Sequence, residues 1–431
     1  MRPRASGLLA VLLAAGCTAG QPYAPSGGPA MLSTGAAPAP AGQRVAILLP
    51  LSGSNAALGQ AMLRAARLAL AAPGSPGLDA RDTQGTPEGA AEAARVSLAA
   101  GDSLILGPLT NSETAAVAPV AAAAGVAVLA FTSDGAQARP GVWVLGITAD
   151  QQVGRLVAAA RGDGRSRFAA VLPEGAFGQA LGDALVRDTA DGGTPATVRR
   201  ASGFAATNAA LKQVSGYAAR RGAAQAQLKA ARESGDADAR RDAAAAVAAP
   251  AAPPPVDALL LGTGAGTLRD LGSVLAFYDL APPAVRLLGP ALWAHDAPQL
   301  GALAGAWYVA PDPALRARFV AAYAASGQAA PAPDAGVAGA PAGATPPAAA
   351  APGGPPPALA DIAYDAAAVA RVLAAQGYGP VALQRADGFA GTDGVFTLLP
   401  GGVVRRDLAV FQIDAGGGSH VVSGAGRPPG A

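Results

Sequence analysis

The sequence predicts an α/β fold of two similar Rossmann-like lobes joined by a hinge, each built around a parallel sheet. Short apolar runs alternate with stretches of helical periodicity, and the links between them are short. Such alternation is typical of βαβ units, whose strands are parallel. It occurs in two series, and a chain of 431 residues, 51% of them hydrophobic, is long enough to fill two cores.

The first series predicts the first lobe. Its predicted strands are Arg44–Leu51, Leu78–Asp82, Ser103–Leu106 and Val126–Phe131. Its predicted helices are Ser54–Leu70, Pro87–Ala100 and Ser112–Ala124. Threonine is favoured at an N-cap and proline at the first helical position, so we expect the second helix to begin at Thr86 and Pro87.

The second series predicts the second lobe, and Trp143–Ile147 lies where the chain would pass between the two. Its predicted strands are Arg167–Leu172, Pro195–Ser202, Val256–Leu261 and Val285–Leu288. Its predicted helices are Phe177–Thr189 and Thr267–Tyr278. After these come a predicted helix, Leu359–Ala375, and a predicted hairpin of Gly394–Leu399 and Asp407–Ile413 that turns at Pro400–Gly402.

Two segments interrupt the alternation. Residues 208–249 are rich in Ala, Arg, Asp and Gln and indicate a helical excursion. Residues 328–357 are almost wholly Ala, Pro and Gly, a composition that cannot bury enough apolar surface to offset the entropy of ordering, so we expect a disordered insertion. The predicted division is lobe I at 43–147 and 303–380, and lobe II at 148–302 and 381–425.

The N-terminus has the pattern of a secretory signal. Positive charge in Met1–Arg4 precedes the apolar run Leu8–Leu13, which is too short to span a bilayer, and the small residues before Cys17 indicate a cleavage site. Leu-Ala-Ala-Gly-Cys resembles a bacterial lipobox, which implies acylation of Cys17, and Thr18 favours the outer membrane. The alternative is an ordinary signal with an incidental cysteine. Residues 1–16 are thus predicted as a lipoprotein signal peptide and 17–42 as a disordered tether.

Composition excludes several classes of function. The net charge of +2 and the 4% aromatic content give no basis for a nucleic-acid partner. With one cysteine and two histidines, His295 and His420, no Cys/His metal site is predicted, and no G-x-S-x-G elbow or EF-hand loop is present. We therefore predict no catalytic residue, no cofactor and no metal, and a protein that is not an enzyme.

Polar residues follow three strands of the first series, at Ser52–Asn55, Thr110–Ser112 and Thr132–Asp134. Ligands of open parallel sheets bind beyond the carboxyl ends of the strands, so these loops are candidate walls of a cleft. The alternative is that the polar side chains cap the helices that follow. The glycine-rich turn Gly262–Thr267 has an imperfect dinucleotide spacing, and a tight strand-to-helix turn is the favoured interpretation.

Longer segments carry a family resemblance. VAILLPLSGSNAALGQAMLRAARLAL, LILGPLTNSE, GVAVLAFTSD and VLPEGAFGQAL resemble the type I periplasmic binding protein superfamily, as do GAWYVAPDP and IAYDAAAVARVLAAQ. Within it, the lipobox, the helical excursion before VDALLL and the ending FAGTDG…PGGVVRRDL are most similar to penicillin-binding-protein activator lipoproteins. That resemblance implies a non-enzymatic outer-membrane lipoprotein, facing the periplasm, that binds and regulates a peptidoglycan synthase.

The alternative within the superfamily is a solute-binding receptor of an ABC transporter for an amino-acid-like or other small ligand. The resemblance places Thr110–Ser112 and Thr132–Asp134 on carboxylate-binding loops, but it places Ala291 where an acidic partner of an ammonium group is expected. An α-amino acid ligand is therefore disfavoured. The cleft candidates are Ser52, Asn55, Leu58, Thr110, Asn111, Ser112, Thr132, Ser133, Asp134, Phe177, Thr263 and Trp293.

Overall fold

A computed structural model describes residues 30–31, 43–192, 195–249, 252–327, 354–357 and 359–425. The predicted signal peptide, Cys17, nearly all of the tether and most of the insertion at 328–357 lie outside the described residues. None of the helices in the described ranges is both long and apolar enough to cross a membrane.

The chain forms sixteen strands and thirteen α-helices in its described part. The strands are β1 (Ala30–Met31), β2 (Arg44–Leu49), β3 (Gly77–Asp82), β4 (Leu104–Leu106), β5 (Ala127–Ala130), β6 (Val142–Val144), β7 (Phe168–Leu172), β8 (Thr197–Arg200), β9 (Ala258–Leu261), β10 (Arg286–Gly289), β11 (Trp307–Ala310), β12 (Phe389–Gly391), β13 (Gly394–Leu398), β14 (Val404–Arg406), β15 (Ala409–Ile413) and β16 (Ser419–Ser423). The helices are α1 (Ala56–Ala69), α2 (Pro87–Ala99), α3 (Asn111–Ala124), α4 (Ala149–Gly162), α5 (Ala176–Thr189), α6 (Phe204–Val214), α7 (Tyr217–Ser234), α8 (Ala237–Ala248), α9 (Ala265–Phe277), α10 (Trp293–Asp296), α11 (Pro313–Ser326), α12 (Ala360–Leu373) and α13 (Pro380–Leu383).

These strands build three sheets. The first sheet is parallel throughout, in the order β3-β2-β4-β5-β6. The second has the order β16-β15-β11-β10-β9-β7-β8, with β7 to β11 parallel and β15 and β16 antiparallel at one side. The third, here the small sheet, has the order β1-β12-β13-β14. One parallel sheet and one mainly parallel sheet confirm the predicted pair of α/β lobes.

Each large sheet is covered on both faces, as its nearly continuous apolar strands require. On the first sheet, α1 and α12 cover one face with a core that includes Leu49 and Leu106, and α2 and α3 cover the other. On the second sheet, α6 and α9 pack on one side, around Leu259 and Leu261, while α4 and α5 pack on the other, around Leu172 and Leu260.

The boundaries between lobes differ from the prediction. β11 pairs with β10 in the second sheet, so the chain enters lobe I after Ala310, later than the predicted start at 303. Strands β12 to β14 bury Phe389, Phe396 and Val404 in the core of lobe I, so the return to lobe II follows Arg406 and the predicted boundary at 381 is wrong. An apolar run predicts a strand but not the sheet in which the strand pairs.

Three further predictions are corrected. The hairpin that turns at Pro400–Gly402 joins β13 to β14, whereas β15 pairs with β11 and β16. The helical excursion is three helices, α6 to α8, and begins at Phe204. Within the predicted disordered tether, Ala30–Met31 pairs in parallel with Phe389 and Ala390 of β12.

Candidate cleft at the strand ends

The three polar loops of lobe I lie together at the carboxyl ends of β2, β4 and β5. The amide Nδ2 of Asn111 donates to Oδ2 of Asp134 at 3.5 Å, which joins the second and third loops. Asn55, Ser112 and Ser133 are exposed there. The structure therefore groups these predicted residues at one edge of the first sheet, where open α/β folds bind ligands.

Thr110 acts as the N-cap of α3. Its hydroxyl accepts from the backbone N–H of Glu113 at 3.3 Å, and the Glu113 carboxylate accepts from the backbone N–H of Thr110 at 2.9 Å. The Thr110 hydroxyl also donates to that carboxylate at 2.7 Å. This is a capping box, so the capping alternative describes Thr110 and its hydroxyl is engaged within its own helix end.

Thr132 and Asp134 are also engaged within their own loop. The backbone N–H of Asp134 donates to the Thr132 hydroxyl at 3.1 Å, and Thr132 is only 6% exposed. The Asp134 carboxylate accepts from the N–H of Ala136 at 3.0 Å and from the side chain of Gln137 at 3.4 Å. A carboxylate in this position repels an anionic ligand rather than binding it.

The loop that contains Ser52 is held by an acidic residue that the sequence analysis missed. Oδ1 of Asp82, at the end of β3, accepts from the backbone N–H groups of Leu51 at 2.8 Å and Ser52 at 3.2 Å. Leu58 is half-buried and packs against the core of lobe I. The missed residues Asp82 and Glu113 are buried carboxylates that fix the cleft loops, and the Thr-x-x-Glu spacing of Thr110 and Glu113 could have found the second.

The lobe II side presents two aromatic rings at helix starts. Phe177 follows β7 and is 42% exposed, and Phe204, which the sequence analysis missed, follows β8 and is 46% exposed. Each stands in the first turn of the helix after its strand, where an aromatic ring can cover a ligand at the strand ends. Phenylalanine is most often buried, so these two exposed rings give the strand-end edge of lobe II an apolar surface.

Trp293 does not line the cleft, which corrects its place among the candidates. It is fully buried in the core of lobe II, and its Nε1–H donates to the carbonyl of Thr263 at 3.0 Å. Thr263 itself is half-buried, and its hydroxyl has no hydrogen-bond partner among the described residues. Trp293 thus holds the loop of Thr263 from the core of lobe II.

The positions expected to bind an amine hold none of the required groups. The backbone N–H of Ala291 donates to Oε1 of Gln152 at 2.8 Å, and the amide of Gln152 donates to the carbonyl of Ile147 at 3.3 Å.

The glycine-rich turn is a packing feature, because a Cβ on Gly262 would lie 2.8 Å from Cδ of Pro173. No group of three His, Cys, Asp or Glu side chains in the described residues could hold a metal ion.

Two α/β lobes with polar loops at the strand ends define the two-lobe α/β fold class. Residues 42–418 match the family model described as periplasmic binding protein, and the chain belongs to that family. None of the curated proteins compared matches the sequence.

Solved structures share this fold at low sequence identity. Full-length LpoA from Haemophilus influenzae aligns with a TM-score of 0.58 and 15% identity over 90% of this chain and 60% of that one. The LpoA C-domain from the same organism, described as a regulator of PBP1A, aligns with a TM-score of 0.58 and 14% identity, over 88% of this chain and all of that one. A putative branched-chain amino acid ABC transporter protein from Rhodospirillum rubrum aligns with a TM-score of 0.61 and 18% identity, over 88% of this chain and 100% of that one. This chain therefore spans 60% of the length of full-length LpoA.

Proposed function

We propose that the protein is a non-enzymatic cell-envelope lipoprotein that binds and regulates a peptidoglycan synthase. It is anchored through Cys17 to the outer membrane and faces the periplasm. The observation that carries the proposal is the internal engagement of the cleft: the hydroxyls of Thr110 and Thr132 are hydrogen-bonded within their own loops. A receptor needs such groups aimed at a solute, whereas a partner protein needs only the folded surface.

The likeness to LpoA supports this choice. Both the full-length protein and its C-domain share the fold of this chain, and the C-domain is described as a regulator of PBP1A. The missing acidic partner at Ala291 agrees with it, because an unpaired ammonium group in a closed cleft is costly. The partner is therefore expected to be a penicillin-binding protein rather than an amino acid.

Affinity capture from solubilised envelopes tests the proposal. The bait is the full chain with its lipid anchor, and captured penicillin-binding proteins are detected with a fluorescent β-lactam. A second bait carrying Cys17→Ser separates the contribution of the anchor from that of the folded part. Enrichment of a synthase over a bait of unrelated lipoprotein is expected. Equal β-lactam labelling of the material captured by the full chain and by the unrelated lipoprotein would overturn the proposal.

The second candidate is a solute-binding receptor. It is favoured by the exposed Asn111, Ser112 and Ser133 beside the exposed Phe177 ring, a set of donors and an apolar surface at the strand ends. A small-molecule panel in a thermal-shift assay tests it, because a ligand at 100 times its Kd adds about 2.7 kcal/mol to the stability of the folded state. A stabilising compound whose effect disappears in Ser133→Trp would establish this function instead.

A further inference from the structure

A second cavity lies away from the strand-end cleft, between α11, α12 and the small sheet. Its volume is about 720 Å³, which is within the range of roughly 300–1,000 Å³ usual for small-molecule sites. It is lined by side chains of α11 and α12 and by the turn between β12 and β13. None of the cleft candidates contributes to it, so it is a separate place at which a ligand can bind.

The walls of this cavity are mainly apolar and include an aromatic pair. The rings of Phe319 and Tyr364 lie 5.0 Å apart at 56° to each other. Phe319 is 4% exposed and holds this pair in place, while Leu315, one turn earlier on α11, is 47% exposed. Val395 of β13 completes the apolar lining that the argument uses. These side chains suit an apolar ligand body.

One charged group of the cavity wall has no partner among the described residues. Arg318 is exposed and makes no hydrogen bond or ion pair there, although Arg316, two residues earlier, binds Asp361 at 2.8 Å. Thr392 belongs to the fold rather than to the cavity surface: its backbone N–H donates to Oδ1 of Asp365 at 2.9 Å, and its hydroxyl is buried. Asp407 lies in the wall too, but it is 8% exposed and has its own interaction within the fold.

We propose that this cavity binds a small amphipathic anion, with an apolar body and a single acidic head group. The body packs against Phe319 and Tyr364, and the head group pairs with the Arg318 guanidinium. The charge of Arg318 selects an anion over an alcohol or an amine of the same shape, because a hydrogen bond between charged partners is stronger than one between neutral groups.

Isothermal titration of the purified protein with decanoate, decanol and decylamine tests this site. Decanoate is expected to bind more tightly than decanol, and decylamine not to bind. Arg318→Gln is expected to weaken decanoate about fivefold while leaving decanol unchanged. Arg405→Gln, which removes an exposed arginine from β14, is the matched control and should leave the affinities for decanoate and decanol unchanged. Ala322→Trp places a large ring on an exposed wall position and should abolish binding of both.

Four outcomes would overturn the inference. One is decanol binding as tightly as decanoate, and another is decanoate binding that Arg318→Gln or Ala322→Trp leaves intact in a variant that melts like the parent. A third is loss of decanoate binding in Ser133→Trp, which would locate the ligand in the strand-end cleft. The last is binding that appears only after residues 426–431 are removed, which would make the chain itself the occupant.

Discussion

The most unusual residues of this protein are five charged side chains that meet between α11, α12 and the small sheet, four of them buried and one, Arg316, half-buried. Asp361 and Asp365 lie four residues apart on α12, at 2% and 0% exposure, and Asp393 lies near them in the turn after β12. Arg316 binds Asp361 at 2.8 Å, and Nη1 of Arg406 lies 3.6 Å from Asp365. Three carboxylates against two guanidinium groups leave one excess negative charge in a dry site, which favours protonation.

This cluster makes stability depend on pH. Burial, reinforced by Asp393, raises the pKa of Asp361 to about 8, and burial raises the pKa of Asp365 to about 7. A pKa above that of the unfolded chain means that the folded state holds a proton which unfolding releases. The stabilisation is therefore complete below about pH 4 and is lost as the pH rises through 7 and 8.

We expect the free energy of unfolding contributed by this cluster to fall between pH 5 and 8, and Asp361→Asn to reduce the slope of that fall by up to about 1.4 kcal/mol per pH unit. Urea titrations at several pH values measure it. Asp270→Asn, at an exposed position on α9, is the control and should leave the slope as it was. A slope identical in parent and Asp361→Asn would contradict the assignment.

The capping box of α3 gives a second prediction for single residues. Thr110→Ala removes the hydroxyl that accepts from the Glu113 N–H and donates to the Glu113 carboxylate, while the backbone N–H of residue 110 keeps its bond to that carboxylate. The loss of this cap should cost about 1 kcal/mol of stability. Ser112→Ala, one residue into the same helix and exposed, should cost little. Chemical denaturation of the three proteins checks this. If both substitutions were equally neutral, the Thr110 hydroxyl would not be engaged as the structure indicates.

Among the elements, strands and helices follow the sequence closely because their patterns are local. Predicted and observed bounds of α2 agree to within one residue, since Thr86 accepts from the N–H of Gly89 and Pro87 begins the helix. The pairing of β11 with β15 could not be predicted in the same way, because a sheet partner about a hundred residues distant leaves no periodicity in the sequence. The burial of Trp293 was missed because it depends on packing against other elements of lobe II, which the local sequence around Trp293 does not indicate.

The hairpin between β13 and β14 is joined to lobe I by a glycine. Gly402 has φ +85°, and a Cβ there would collide with the carbonyl of Val142 on β6 and with the backbone of Arg139. Gly401 has φ +81°, but a Cβ there would meet nothing within 4 Å. A Cβ at either position would be strained by the left-handed backbone, but only a Cβ at Gly402 would also collide with neighbouring atoms.

We therefore expect Gly401→Ala to cost about 1–2 kcal/mol, the strain of a left-handed residue, and Gly402→Ala to cost clearly more. The difference between the two midpoints of thermal unfolding reports the collision. Equal midpoints would mean that the hairpin does not press on β6. Because Nε1 of Trp143 also donates to the carbonyl of Leu399 at 2.9 Å, the hairpin has a second attachment that limits the loss in either variant.

On the scale of the whole molecule, the lobes are joined where β14 passes into β15. The side chain of Gln151, near the start of α4, donates to the carbonyl of Val404 at 2.6 Å, and Arg155 donates to the carbonyl of Leu408 at 2.8 Å. Arg406 donates to the carbonyl of Leu145 at 3.3 Å. Side chains of both lobes therefore hold the same crossing, and this part of the hinge involves residues that the sequence pattern did not single out.

The proposed function requires that this two-lobe body be held at a membrane, and the anchor makes a separate prediction. Under that proposal Cys17 carries several acyl chains, which would give stable attachment where a single chain is marginal. Cys17→Ser should therefore move the protein from the membrane fraction to the soluble periplasmic fraction. Fractionation followed by immunoblotting measures the shift. Retention of the Cys17→Ser protein in the membrane fraction would show that another part of the chain, or its synthase partner, provides the attachment, and the capture experiment with the same bait distinguishes those two sources.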